Sequence, residues 1–171
     1  MKIKAERLYI REVVAEDWQS LLSIALNFQK SPYVMYDYPF PTEEEELKEV
    51  TARLAASQLF YGVFLHDKPQ TMIGYVCFHY KNENFELGYC FHSDYHGCGY
   101  AKEACRAAIW YIRRKYIVKG ISAGTAMKNK PSVNLLLSLG FLLEGTEPVS
   151  FYKDENGEDI YFEGGNFRLP L

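Results

Sequence analysis

The chain has 171 residues, 48% hydrophobic and 24% charged, enough apolar material for one sizeable core and too short for two, so a single domain over residues 1–171 is expected. A formal net charge of −3 argues against general nucleic-acid binding. Membrane crossing is excluded as well: the longest nearly apolar stretch, Leu135 to Leu143, is broken by Ser138 and Gly140 and falls far short of the roughly 20 residues needed.

Met1 to Ile10 alternates charged and apolar residues and lacks the apolar run of a signal peptide, which points to a cytoplasmic protein. Arg7 to Val13 reads as a strand, and Asp17 then caps an amphipathic helix through about Phe28. Lys30 to Pro41, with Tyr33, Tyr36, Tyr38, Phe40 and three prolines, reads as a loop rich in aromatic surface. Thr42 and Glu45 form a capping box for a helix to about Ser57, and the run Glu43 to Glu46 complements the positive end of its dipole. Three strands follow, Phe60–Leu65, Met72–Tyr80 and Phe85–Phe91. A turn centred on Asn82 and Glu83 sets the register of the last two. Phe78 then opposes Leu87, Val76 opposes Tyr89 and Gly74 opposes Phe91, giving one apolar face; His79 opposite Glu86, Cys77 opposite Gly88 and Tyr75 opposite Cys90 form the other. From Gly99 to Tyr116, the residues Ala101, Ala104, Cys105, Ala108, Ile109 and Ile112 recur at helical spacing. A short strand, Gly120–Ala126, leads to a helix from about Asn129 to Leu139 stopped by Gly140. The chain closes as a hairpin, Phe141–Lys153 and Ile160–Leu169, turned by Asn156-Gly157. The fold class expected is α+β, a mixed, mostly antiparallel sheet flanked by helices.

The segment Tyr95-His96-Gly97-Cys98-Gly99-Tyr100-Ala101 lies where a strand ends and the clearest helix begins. Glycines let a backbone approach an anion, and the free amides of a helix N-terminus point at it. The stretch from Ala104 to Leu143 holds no Asp or Glu but seven cations: Arg106, Arg113, Arg114, Lys115, Lys119, Lys128 and Lys130. A dinucleotide fold would want a third glycine where Lys102 stands, and a P-loop would want Gly-Lys-Ser/Thr; neither is present. The ligand is therefore a polyanion whose pyrophosphate is held without a ribose-binding acid. Four cysteines, Cys77, Cys90, Cys98 and Cys105, form no spaced framework and read as free thiols. Cys77, His79, Cys90 and His92 do not make a metal site, because the register above separates His79 from His92 by roughly 20 Å along the ladder.

Glu86-Leu87-Gly88-Tyr89, then Tyr95 through Ala104, then Asn129-Lys130-Pro131-Ser132 leading to Leu139-Gly140-Phe141, resemble the core of the Gcn5-related N-acetyltransferase (GNAT) superfamily. The opening Arg7-Leu8-Tyr9-Ile10-Arg11 and the later Leu142-Leu143-Glu144-Gly145 resemble the branch of ribosomal-protein N-terminal acetyltransferases. The resemblance covers nearly the whole chain. It implies acetyl-CoA as cosubstrate, with its pyrophosphate on Gly97, Cys98, Gly99, Tyr100 and Ala101, and Glu86 as general base. Asn129 and Ser132 match positions near the pantetheine arm and thioester. By themselves they read as an N-cap and a first-turn residue, and the two roles can coexist. Many relatives carry a tyrosine seven residues after the Asn as the acid for the departing thiolate. Leu136 stands there, so the acid is Ser132, a tyrosine from elsewhere or water.

The mechanism implied is direct transfer in a ternary complex, the developing oxyanion held by a backbone amide near Cys90 where that strand splays from its neighbour. The acceptor is a primary amine: a peptide N-terminus, polyamine, aminoglycoside or small amine. It is expected to enter between the aromatic loop Tyr33–Phe40 and the hairpin, where Asp37, Asp154, Glu155, Glu158, Asp159 and Glu163 would attract cations. The rival reading is a noncatalytic acyl-CoA-binding or sensing module. Relatives are often dimers, which leaves a homodimer open.

Overall fold

A computed structural model describes residues 2–81 and 83–170. Eight strands among them, β1 (Lys2–Lys4), β2 (Leu8–Glu12), β3 (Phe60–Leu65), β4 (Met72–Lys81), β5 (Asn84–Phe91), β6 (Ile121–Ala126), β7 (Leu142–Lys153) and β8 (Asp159–Leu169), form one sheet in the order β1-β2-β3-β4-β5-β6-β8-β7. All neighbours run antiparallel except β5 and β6. Helices α1 (Trp18–Phe28) and α2 (Glu44–Ser57) cover one face, and α3 (Tyr100–Lys115) and α4 (Lys130–Ser138) the other. This is the α+β class expected. No described helix is long and apolar enough to cross a membrane.

Two cores follow from the alternation of side chains along the strands. Val76, Phe78, Phe85, Leu87 and Phe91 pack beneath α3, whose stripe Ala104, Cys105, Ala108, Ile109 and Ile112 is wholly buried. Small residues at 104, 105 and 108 let the helix lie close to the sheet. On the opposite face, Phe60, Phe64, Met72 and Cys77 pack against Leu21, Ile24 and Leu47 of α1 and α2. The β4–β5 register is the one predicted, with Phe78 on Leu87, Val76 on Tyr89 and His79 on Glu86. Of the turn that sets it, Asn82 lies outside the described residues, and Glu83 takes φ +63°.

Several local expectations are corrected. The first predicted strand shortens to β2 and gains a partner, β1, with Ile3 opposite Ile10. Asp17 does not cap α1 through a side-chain bond; its carboxylate grips Arg11 at 2.6 and 2.7 Å and accepts the Val14 amide at 2.9 Å. The part-buried cation wins because an unpaired guanidinium there costs more than an uncapped amide. The Thr42/Glu45 capping box is absent: Glu43 stands at the N-cap with no side-chain bond, and Thr42 accepts from Gln29 at 3.2 Å, tying the aromatic loop to the end of α1. That loop also contains one 3-10 turn, Val34–Tyr36. The final turn, residues 154–158, contains Asn156-Gly157 as expected. Asp154 organises it by accepting the Asn156 and Glu158 amides at 2.8 and 2.9 Å, with Gly157 at φ +83°.

Candidate active site

The parallel neighbours β5 and β6 pair only at Phe85 with Ile121 and Glu86 with Ser122. Beyond that point β6 stays with β8 as far as Ala126, and β5 stays with β4 as far as Phe91, so the sheet opens between them. Phe85 donates its amide to Gly120 at 3.0 Å and His92 donates to Ile73 at 3.0 Å. By alternation along the strand, the amides of Phe85, Leu87, Tyr89 and Phe91 face β6, while that of Cys90 faces β4; the Glu86–Ser122 pair spends the Leu87 amide, so those of Tyr89 and Phe91 are the ones directed into the opening. The oxyanion donor expected near Cys90 is therefore not the Cys90 amide, which the β4 ladder consumes. Tyr89 offers the amide at that depth.

On the α1/α2 face, Glu86 is half-buried and leans over the opening, its Oε1 4.0 Å from where a Cβ on Gly124 would lie. Its carboxylate makes no hydrogen bond or ion pair among the described residues. The nearby thiols are inert. Burial, with the charge of Asp37 behind it, pushes both Cys77 and Cys90 up to about 12, so neither is a thiolate nucleophile at neutral pH.

On the α3/α4 face, the Tyr89 hydroxyl lies 2.8 Å from Ser132 Oγ, bridging β5 to the first turn of α4. Asn129 caps that helix, its Oδ1 accepting the Ser132 amide at 3.3 Å. Burial raises the Tyr89 phenol well above its ordinary range, with Ser132 pulling weakly the other way, so the group stays protonated. Leu136, at the position where relatives carry a tyrosine, is fully buried in the core. Tyr89 is thus a tyrosine that another element brings beside Ser132.

The loop between β5 and α3 is fastened at several points. Asn27 of α1 exchanges two hydrogen bonds with Ser93 at 2.8 Å, and His96 Nε2 lies 2.8 Å from the Phe91 carbonyl. Gly97 and Gly99 take φ +74° and +79°, a region closed to most side chains. A Cβ on Gly97 would meet nothing within 4 Å, so the loop borders open space, and Gly99 is the N-cap of α3, whose first amides lack partners within the helix. A glycine loop open to solvent that leads into the unspent first amides of a helix fits a pyrophosphate. Gly97, Cys98, Gly99, Tyr100 and Ala101 lie together there, with Cys98 exposed. The basic segment contributes less than its composition suggests. Arg113, Arg114 and Lys115 occupy the last turn of α3, roughly 20 Å along the helix from the loop, where they complement the dipole.

Asp37 was visible in the sequence only as one acid among six. Tyr36 packs edge-on against Phe162 at 5.2 Å and Tyr38 against Phe151 at 5.4 Å, so the aromatic loop seals onto the hairpin and leaves Asp37 between them. Its carboxylate keeps an opening to solvent yet sits in a recess. Desolvation raises it above the usual carboxylate range, against the Tyr38 amide at 2.8 Å, and its charge reaches Tyr75, Cys77, Tyr89, Cys90 and Tyr152. Two of the hairpin acids are engaged elsewhere: Asp154 builds the turn and Asp159 pairs with Lys153 at 3.6 Å. Among the described residues no cluster of three or more His, Cys, Asp or Glu could hold a metal ion.

A sheet opened between two parallel strands, an anion cradle at a helix start and an unpaired carboxylate across the gap define an acyltransferase that uses a coenzyme A thioester. The chain belongs to the family described as acetyltransferase (GNAT) domain, whose model matches residues 7–142; it is an N-acetyltransferase with acetyl-CoA as cosubstrate. It is 28% identical over 164 residues to the uncharacterized N-acetyltransferase YnaD of Bacillus subtilis (strain 168), covering 95% of each chain. Among solved structures it is similar to a GNAT-family acetyltransferase from Bacillus anthracis, with a TM-score of 0.80 at 24% identity over 99% of this chain and 98% of that one. It is also similar to RimL, a ribosomal L7/L12 alpha-N-protein acetyltransferase solved with coenzyme A, with a TM-score of 0.82 at 18% identity over 100% of this chain and 98% of that one.

Proposed function

We propose that the chain acetylates a cationic primary amine, a peptide N-terminus being the favoured class, by direct transfer in a ternary complex. The observation that carries this reading is the opening between β5 and β6, with Glu86 unpaired on one face and the Tyr89–Ser132 hydroxyl pair on the other. Acetyl-CoA, held by Gly97 to Ala101 and by the Asn129–Ser132 turn, supplies the acetyl thioester. An amine in neutral water is mostly protonated, so Glu86, directly or through water, takes a proton to free the lone pair. The Tyr89 amide donates to the carbonyl oxygen as it gains charge. The Tyr89 hydroxyl gives its proton to the departing thiolate as the C–S bond breaks and regains one, through water, from the nitrogen as the adduct becomes the amide; Ser132 keeps that hydroxyl aimed. Asp37 attracts the ammonium to the α1/α2 face.

The L7/L12 alpha-N-protein activity carried in the name of one structural neighbour supports the peptide class. A turnover screen that follows free thiol across peptide N-termini, polyamines, aminoglycosides and amino-acid amides tests the proposal. Peptide N-termini are expected to stimulate release most, with an apparent KM that rises with ionic strength, because the Debye length shortens from about 10 Å at 0.1 M to about 3 Å at 1 M. Tight acetyl-CoA binding with no amine-stimulated release would overturn it in favour of a sensing module. A neutral best acceptor, or a salt-independent KM, would overturn the role of Asp37.

A further inference from the structure

We propose that Arg7 is a positioning residue for the cosubstrate: it fixes the Cys98–Gly99 peptide plane so that the Gly99 amide faces the bound anion. The inference rests on the reading of residues 97 to 101 as the pyrophosphate cradle. Arg7 precedes β2 and lies 91 residues from Cys98, yet its Nη1 donates to the Cys98 carbonyl at 2.9 Å. Its Nε donates to Glu103 Oε2 at 2.8 Å, its own backbone amide donates to Glu103 Oε1 at 2.7 Å, and its guanidinium lies 4.6 Å from the centre of the Tyr100 ring. One side chain thus grips the loop, the first residue of α3 and the first-turn carboxylate together.

The geometry has a directional consequence. In a trans peptide the C=O and N–H point in opposite directions, and the described chain contains no cis bond. With the Cys98 oxygen turned to Arg7, the Gly99 N–H is turned away from it, toward the side where the first amides of α3 are unspent. Arg7 Nη2 stands 3.4 Å from where a Gly99 Cβ would be, so the guanidinium walls the back of the loop while the Gly97 side stays open. The brace is needed because Cys98 is flanked by two glycines, which make rotation of the peptide plane easy. A cationic donor on the Cys98 oxygen also polarises that peptide and strengthens its N–H as a donor. Glu103 holds the guanidinium fork in the required orientation through a bond that Lys could not reproduce at both acceptors.

The test is calorimetry of acetyl-CoA binding to the wild type, Arg7→Gln, Arg7→Lys, Glu103→Gln and Gly99→Val, with melting temperatures measured alongside. A parallel measurement takes KM for S-acetylpantetheine, a donor that lacks the pyrophosphate. Arg7→Gln is expected to weaken acetyl-CoA binding about 10-fold and Arg7→Lys nearly as much, with kcat at saturation and the KM for S-acetylpantetheine unchanged. Glu103→Gln is expected to lose about threefold, and not to add to Arg7→Gln in the double variant. Wild-type affinity in Arg7→Gln alongside lost binding in Gly99→Val would overturn the role of Arg7 and leave the cradle standing. Wild-type affinity in Gly99→Val would instead overturn the cradle. An equal loss with S-acetylpantetheine would show a general structural effect and defeat the inference. Should Arg7→Gln not fold, Glu103→Gln carries the same two comparisons.

Discussion

Replacing Tyr89 with Phe removes one oxygen from the centre of the site and separates two effects that the structure makes calculable. The hydroxyl is part-buried and its partner, Ser132 Oγ, lies at 2.8 Å, so the lost bond should cost about 1 kcal/mol of stability and lower Tm by roughly 2–4 °C for a chain of this size. The catalytic effect should be larger. A phenol held protonated by burial can give its proton to a thiolate, and losing such a general acid costs about 100-fold in kcat, equivalent to about 2.7 kcal/mol of barrier. Acetyl-CoA affinity should stay within about twofold, because no backbone group moves. Ser132→Ala should weaken turnover less, since Tyr89 keeps its proton but loses its orientation, and Tyr89→Phe/Ser132→Ala should be no slower than Tyr89→Phe alone. Thiol-release kinetics at saturating acetyl-CoA, with calorimetry for affinity, supply both numbers. A Tyr89→Phe enzyme within about threefold of wild-type kcat, or additive losses in the double variant, would refute the assignment.

Glu86→Gln should lower kcat by about 100-fold while leaving acetyl-CoA affinity unchanged, because the carboxylate lies across the opening from the cradle; near wild-type turnover at neutral pH would place the base elsewhere. Asp37→Asn should raise the KM for a cationic amine and also raise Tm at pH 7. A carboxyl whose folded value is raised favours folding at low pH and opposes it once ionised, so the Tm gain should vanish near pH 3 and persist at neutrality. The buried thiols make the opposite end of the pH scale informative. Cys77 and Cys90 ionise near 9 when unfolded but are pushed up to about 12 when folded, so the urea midpoint should fall as pH rises above 9, and Cys90→Ala should flatten that decline. At pH 8, iodoacetamide should modify exposed Cys98 first, and acetyl-CoA should protect it; labelling of Cys77 or Cys105 in the native protein would contradict their burial.

Patterns that depend on side-chain period were legible in the sequence. The stripe of α3 follows from apolar spacing, and the β4–β5 register from a turn centred on Asn82 and Glu83 together with that spacing, because one residue of slip would turn Phe78, Leu87 and Phe91 out of the core. Local polar signals were less legible, because tertiary partners compete for them. Asp17 goes to Arg11 and Thr42 goes to Gln29, in each case a choice that neighbours in sequence do not reveal. The site divides the same way. The glycine loop and Glu86 are contiguous with recognisable motifs. Tyr89 beside Ser132 depends on a contact across 43 residues, and Arg7 beside Cys98 on one across 91. That the free amide belongs to Tyr89 rather than Cys90 is a matter of strand parity, which the predicted register already contained but which becomes useful only once the edge facing β6 is known to be open.

The interrupted ladder between β5 and β6 makes the stability of the enzyme a function of its metabolic state. Past the Glu86–Ser122 pair, Tyr89 and Phe91 direct their amides into the gap in the middle of a sheet, where exchange with solvent is expected to be fast for so central a position. Any ligand that takes those positions in the native state and not in the unfolded one raises the folding free energy by RT ln(1 + [L]/Kd), about 2.7 kcal/mol at a hundredfold excess over Kd. When acetyl-CoA is scarce, the same two amides become the first part of the sheet to loosen, and the lifetime of the protein shortens with the supply of the molecule it consumes.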